Sequence, residues 1–324
     1  MRGWVYMAIA AVCLAAQGGA AYGADEFPTR TVSIYVANAP GSQADLLARI
    51  LAQGMSSRLG KNVIVENRPG VGGLIAARAT AQAEPDGYTV MLGSSGVMAI
   101  NPHVYASVPY DARKDFVGLA FVASSPNVFL VSAQSEVADL REFVGMVGKA
   151  GRPVNYGSLG PGATTNIVSQ LFGREASLPM TEIAYKGETI IINDLVAGRL
   201  DFSVLPISST LSYIRSGKLK ALAVTSDKRT NLLPELPTTA EAGYGSVRMT
   251  QWYGLFAPAQ TPEGVVAKLV TAAEAALADP DTQRRIAQLG VEPGSLDRPA
   301  FLRFFASQYE DYGTIVRRLG IKID

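Results

Sequence analysis

Strand-like and helix-like patterns alternate along the chain from about residue 31 onward. Thr31–Ala37 reads as a strand that ends at the turn Asn38-Ala39-Pro40-Gly41. Leu47, Leu51, Met55 and Leu59 then recur at four-residue spacing, with Leu46 and Ile50 beside them. That spacing predicts a helix over Leu46–Leu59 with one apolar stripe, closed by Gly60. Val63–Glu66 is a short apolar strand, followed by the turn Asn67-Arg68-Pro69-Gly70. Ile75–Ala83 predicts a second helix, Pro85-Asp86-Gly87 a turn, and Tyr88–Leu92 a strand.

The same grammar restarts past Pro126. Strands are predicted at Val154–Tyr156, Thr181–Ala184, Leu200–Leu205 and Leu219–Thr225, with helices at Thr164–Gly173, Ile190–Ala197 and Ser209–Ser216 between them. The tail is helical over Glu263–Leu277, Thr282–Leu289 and Pro299–Leu319, and Thr238 with Glu241 fits a capping box. Strands separated by helices imply an α/β fold with mostly parallel sheets flanked by helices. Two such units of about 100 to 130 residues each match ordinary domain sizes. Ligands in such sheets bind beyond the carboxyl ends of the strands, so the natural site is the cleft between the two lobes.

The amino terminus has a different character. Arg2 precedes an apolar, alanine-rich stretch over Trp4–Ala16, and Gln17–Ala24 is small and polar. That is the order of a cleavable secretory signal, with the mature chain expected to start near Ala24. The stretch is shorter than the roughly 20 residues that span a bilayer. The single cysteine, Cys13, falls inside it. The mature chain is therefore expected to hold no disulfide, thiol nucleophile or cysteine metal site. Export without disulfides points to a bacterial periplasm. The chain has 29 basic and 28 acidic residues, and loss of Arg2 leaves 28 of each. Such balance offers nothing that would attract nucleic acid or anionic lipid.

Enzyme chemistry is tested by subtraction. One histidine, His103, and no mature cysteine cannot build a conventional zinc site. No G-x-S-x-G elbow occurs, and Gly93-Ser94-Ser95-Gly96 has the wrong spacing. Gly70-Val71-Gly72-Gly73 lacks the third glycine of a dinucleotide fingerprint. Gly157-Ser158-Leu159-Gly160-Pro161-Gly162 lacks the Gly-Lys-Ser/Thr ending of a phosphate loop. No catalytic residue, metal or cofactor is assigned. A pair of carboxylates hydrolysing a substrate in the cleft needs no local motif, and is the alternative reading.

Three loops join glycine to hydroxyl or amide side chains at the carboxyl end of a strand. They supply Gly41, Ser42, Gln43 and Asp45; then Ser94 and Ser95; then Ser158, Gly160, Gly162, Ala163, Thr164, Thr165 and Asn166. A helix start presents unpaired N–H groups and roughly half a positive charge, so it attracts a carboxylate without a cationic side chain. Glycine turns with Ser42 or Thr164 as simple helix caps are the bland alternative. Asp45, one turn into its helix, either stabilises the helix start or bonds an amino or hydroxyl group of a ligand.

Many short segments in one order resemble the Bug family, the TctC-like receptors of tripartite tricarboxylate transporters. They include Pro40-Gly41 with Asp45, Asn67-Arg68-Pro69-Gly70, Pro85-Asp86-Gly87-Tyr88-Thr89, Tyr156-Gly157-Ser158 and Tyr185-Lys186-Gly187. Asp194-Leu195 with Gly198 and Asp201, and Trp252-Tyr253-Gly254-Leu255-Phe256-Ala257-Pro258, complete the set. The resemblance implies a type II-like periplasmic binding protein with two α/β lobes: 25–125 with 252–324, and an inserted 126–251. It implies a small organic carboxylate as ligand, gripped by the first loop and the helix start after Gly157, with Asp201 added to the site. It also implies a two-subunit membrane permease as partner. The chain is read as a monomer. Three departures bear on the ligand: Ser42 replaces a usual second glycine, Asn166 a common histidine, and Glu188-Thr189-Ile190-Ile191 a small run with Pro-Ala. A Glu188 that reaches the cleft disfavours a polyanion, whereas an exposed Glu188 in a helix's first turn does nothing to the ligand.

Overall fold

A computed structural model describes residues 26–323 apart from Pro161; the predicted signal segment lies outside these residues. Three strands open the fold: β1 (Val32–Val36), β2 (Val63–Asn67) and β3 (Thr89–Ser94), with β1 in the middle and parallel to both neighbours. Helix α1 (Gln43–Leu59) connects β1 to β2 and buries Leu47, Leu51 and Met55, the predicted stripe. Helix α2 (Leu74–Ala81) leads to β3, and a π-helical turn at Gly96–Ile100 continues into the short α3 (Asn101–Val104).

The chain then runs as one strand of 17 residues, β4 (Phe116–Ser132), which sequence pattern did not foresee. Nearly every side chain along it is buried, so it has no polar alternation to read. Phe116–Pro126 pairs with β9 (Thr250–Pro258), and from Asn127 onward the partners are β7 (Phe202–Pro206) and β8 (Leu219–Val224). Pro126, which cannot donate to a ladder, thus stands where the partner strands change.

The second lobe contains α4 (Leu140–Lys149), β5 (Val154–Ser158), α5 (Thr164–Glu175), β6 (Met180–Ala184), α6 (Glu188–Val196), β7, α7 (Ile207–Arg215) and β8. Here β5 is parallel to both β6 and β7. After β9 come α8 (Glu263–Leu277), α9 (Pro280–Gln288), the two-residue β10 (Glu292–Pro293) and α10 (Arg298–Leu319). The main sheet order is β2-β1-β3-β9-β4-β7-β5-β6.

The expectation of mostly parallel sheets needs correction, because both lobes are mixed. β9 is antiparallel to β3 and to β4, and β4 is antiparallel to β7 and β8. The cause is topological: β4 carries the chain out of the first lobe and β9 brings it back beside the outgoing strand. The capping box exists, with Thr238 N–H donating to Glu241 at 2.8 Å and Glu241 N–H to the Thr238 hydroxyl at 3.1 Å, but it closes a turn.

Trp252 of β9 is fully buried among Phe256, Phe301, Phe304 and Phe305, at centroid distances of 5.8–6.5 Å. Removing one such ring costs about 3–5 kcal/mol. This packing sets α10 against β9 and fixes the strand that forms the floor of the inter-lobe cleft.

Candidate functional site

The cleft begins where β1 ends. Ser42 caps α1 in extended conformation (φ −68°, ψ 160°), and its hydroxyl accepts the Asp45 N–H at 3.3 Å. Gly41 adopts φ 82°, a left-handed turn that favours glycine. Asp45 faces inward at 2% exposure and is fully engaged. It accepts the Gly41 N–H at 2.9 Å, the Asn67 amide at 2.9 Å, and Arg49 on both oxygens at 3.0 Å. Burial alone would raise its pKa, but the bonds from Arg49, Gly41 and Asn67 outweigh it and hold the carboxyl below 3.8. Asp45 therefore shapes the first loop from behind.

A directed chain of hydrogen bonds crosses the floor. The buried Ser95 hydroxyl donates to Gln251 Oε1 at 3.1 Å, and the Gln251 side chain bonds the Tyr253 hydroxyl. Tyr253 donates to Gln43 Oε1 at 3.0 Å. With its oxygen so used, Gln43 has its amide N–H groups left to offer. Burial first, and Glu188 second, push the Tyr253 hydroxyl up to about 12, so it stays a donor at any physiological pH. Ser94 ends β3 opposite Tyr253 and accepts the Val97 N–H at 3.4 Å.

The third loop closes the cleft from the second lobe. Ser158 is buried, donates to Glu182 and accepts the Gly160 N–H at 2.9 Å. Thr165, 3% exposed, accepts the Leu159 N–H at 3.0 Å, which pins the loop to α5. Ala163 caps α5 with no side-chain bond. Among the described residues the N–H groups of Thr164 and Thr165 and the Thr164 hydroxyl have no partner. Asp139, Asp279 and Asp297, by contrast, cap α4, α9 and α10 with their carboxylates. Helices α6 and α7, like α2 and α8, share with α5 the lack of any side-chain cap. An anion placed at the α5 start meets free donors and the positive helix end.

Two predicted residues stand apart. Asn166 is wholly buried, donating to the Tyr156 hydroxyl at 3.3 Å and accepting Gln170 at 2.9 Å, so it braces α5 from inside. Asp201 precedes β7, at the edge opposite the cleft, where it accepts Arg152 at 2.7 and 2.6 Å and the Asn155 N–H at 2.7 Å. Tyr253, Gln251 and Ser209 join the cleft unforeseen; the run around Trp252-Tyr253-Gly254 was visible only as a resemblance. His103 packs edge-on to Tyr309 and bonds its carbonyl at 2.9 Å, a structural place. Among the described residues no group of His, Cys, Asp and Glu is arranged to hold a metal ion, and no helix is long and apolar enough to cross a membrane.

Residues 47–321 match the tripartite tricarboxylate transporter family receptor. The chain belongs to this family. It is 32% identical to the solved periplasmic binding protein BugD, with a TM-score of 0.74 over 91% of this chain and 99% of that one. It is 29% identical to Rhodopseudomonas palustris Rpa4515, solved with adipate, with a TM-score of 0.78 over 91% of this chain and 99% of the other. MatC from the same organism, solved with bound malate, is 30% identical, with a TM-score of 0.74 over 90% of this chain and all of MatC. The family is one of two-lobed periplasmic binding receptors, not of enzymes. The carboxylate-pair hydrolase has no support among these relatives.

Proposed function

We propose that this chain is an exported receptor that closes on one small organic carboxylate and delivers it to a two-subunit membrane permease. The observation that carries the reading is the α5 start, whose Thr164 and Thr165 N–H groups have no partner among the described residues; in the proposed pose the Gln43–Tyr253 pair faces it from the first lobe. The carboxylate sits between them, accepting from Thr164 and Thr165 N–H and the Thr164 hydroxyl on one side and from the Gln43 amide and Ser42 on the other. Gly41, Gly160 and Gly162 let the backbone come close, Ser94, Ser95 and Ser158 hold the loop ends, and Asp45, Asn166 and Ala163 position the donors. Relatives solved with adipate and malate support the ligand class. The lobes divide as 25–125 with 252–324, and 126–251, after removal of residues 1–24 in the periplasm. The protein works as a monomer, one ligand per chain.

A thermal-shift and calorimetric screen of ligand-stripped mature protein against mono-, di- and tricarboxylates and amino acids tests this. At a hundred times its dissociation constant a ligand adds about 2.7 kcal/mol of stability. One-to-one binding of an acid recovered intact is the expected result; turnover, or no response to any carboxylate, overturns it.

A further inference from the structure

Glu188 opens α6 directly after β6. It is half-buried, bonds with the Ser209 hydroxyl at the start of α7, and acts electrostatically on the Tyr253 hydroxyl of the opposite lobe. Ser209 has one proton, and it also lies 2.9 Å from the Pro206 carbonyl, so it cannot satisfy both acceptors. Among the described residues no lysine or arginine pairs with Glu188, although it sits where solvent reaches it only in part. Other charged residues nearby are engaged: Asp194 by Arg199 and Tyr185, and Asp45 by Arg49. A partly desolvated carboxylate without a counter-charge is costly, and a cation is what it lacks.

The stretch of β4 where the partner strands change holds a second such deficit. Ser125 Oγ and Asn127 Oδ1 are buried with no hydrogen-bond partner among the described residues. Alternation along β4 puts both on one face, and Ser125 pairs directly with Gln251, whose side chain bonds Tyr253. The Asn127 amide is oriented by its donation to the Met249 carbonyl at 3.2 Å, so the free atom is an acceptor. The α5 start and Gln43 are therefore rich in donors, while Glu188 and Asn127 Oδ1 are acceptors in want of one.

We infer that the ligand is a zwitterion, whose carboxylate rests on the α5 start and the first loop while its protonated nitrogen pairs with Glu188. This rests on the carboxylate-receptor reading above and narrows it: Glu188 is a specificity-determining residue that turns the cleft away from dicarboxylates. A second carboxylate at that position would meet the Glu188 charge.

Length-matched pairs test it by titration calorimetry on ligand-stripped mature protein: 4-aminobutanoate against succinate, 6-aminohexanoate against adipate, and the α-amino acids alanine and glutamate against propanoate and glutarate. At least one amino-bearing acid is expected to bind tenfold or more tightly than its partner. Glu188→Gln should erase that preference by weakening the amino acid alone, and Glu188→Lys should invert it toward the dicarboxylate. Circular dichroism of both variants separates loss of fold from loss of preference. Equal or tighter binding of dicarboxylates by the unaltered protein, or a preference that survives Glu188→Gln, overturns the inference while leaving the receptor reading standing. Failure of every acid to bind overturns both.

Discussion

Gly162 and Ile323 are in close contact: a Cβ built on Gly162 would lie 2.5 Å from Ile323 Cδ1. The contact ties the ligand loop of the second lobe to the last residues of the chain, which themselves hang on the first lobe through Ile323 N–H to the Val104 carbonyl at 2.7 Å. Gly162→Ala adds a methyl group into this contact at φ 79°. The variant should lose about tenfold in carboxylate affinity, since the loop must retreat by part of an ångström and its donors with it. Adding Ile323→Ala should recover part of the loss by removing the clash but not the left-handed strain. Titration calorimetry of the single and double variants measures both steps.

Thr164→Pro removes one N–H from the proposed anion site. Thr164 is the first residue of α5, where proline is tolerated, and Ala163 is already extended at φ −69° and ψ 145°, as a residue before proline requires. The fold should survive by circular dichroism while affinity falls at least about tenfold, the size of one charge-assisted hydrogen bond.

Asp45→Asn should cost about 1–3 kcal/mol at pH 7, because Gly41, Arg49 and Asn67 keep their donors and lose a charged acceptor. The native carboxyl is held below 3.8, so its stabilisation is present above that value and disappears as pH falls through the folded one. Urea unfolding of both proteins should show a gap at pH 7 that narrows under acid conditions.

Glu188→Gln should act in the opposite sense on the ligand-free protein. Burial lifts the Glu188 carboxyl above 4.5, although the Ser209 bond opposes it. The folded state then binds that proton more tightly than the unfolded chain, so stability declines as pH rises through 4.5 toward the folded value. The variant is expected to melt higher than the unaltered protein at pH 7 and at the same temperature below about pH 4. A residue that weakens the empty protein while defining the ligand is the usual signature of a binding site.

The first and third loops were legible because glycine and hydroxyl residues at a strand-to-helix junction signal a helix start with free donors, wherever the strands come to lie. Ser42 and Ala163 do cap α1 and α5, Ser42 with its hydroxyl and Ala163 without a side-chain bond. Tyr253 and Gln251 were not legible. They lie in β9, a run of nearly continuous burial with no period, and the Gln43 contact spans 210 residues of chain. Asp201 and Asn166 show the converse limit: both sit in recognisable motifs, yet only the sheet reveals which end and which face they occupy. The long β4 escaped for the same reason as β9, and its proline read as punctuation.

A single strand that serves as structural backbone to both lobes behaves like a leaf spring. Extended backbone resists stretching far more than it resists twisting, so any displacement of the second lobe must be absorbed as rotation near Ser124–Asn127, where the partner strands change. Ser124 pairs with Trp252, which packs in the aromatic cluster of α10. A change in Trp252 fluorescence on adding ligand is therefore the expected sign that the lobes have moved.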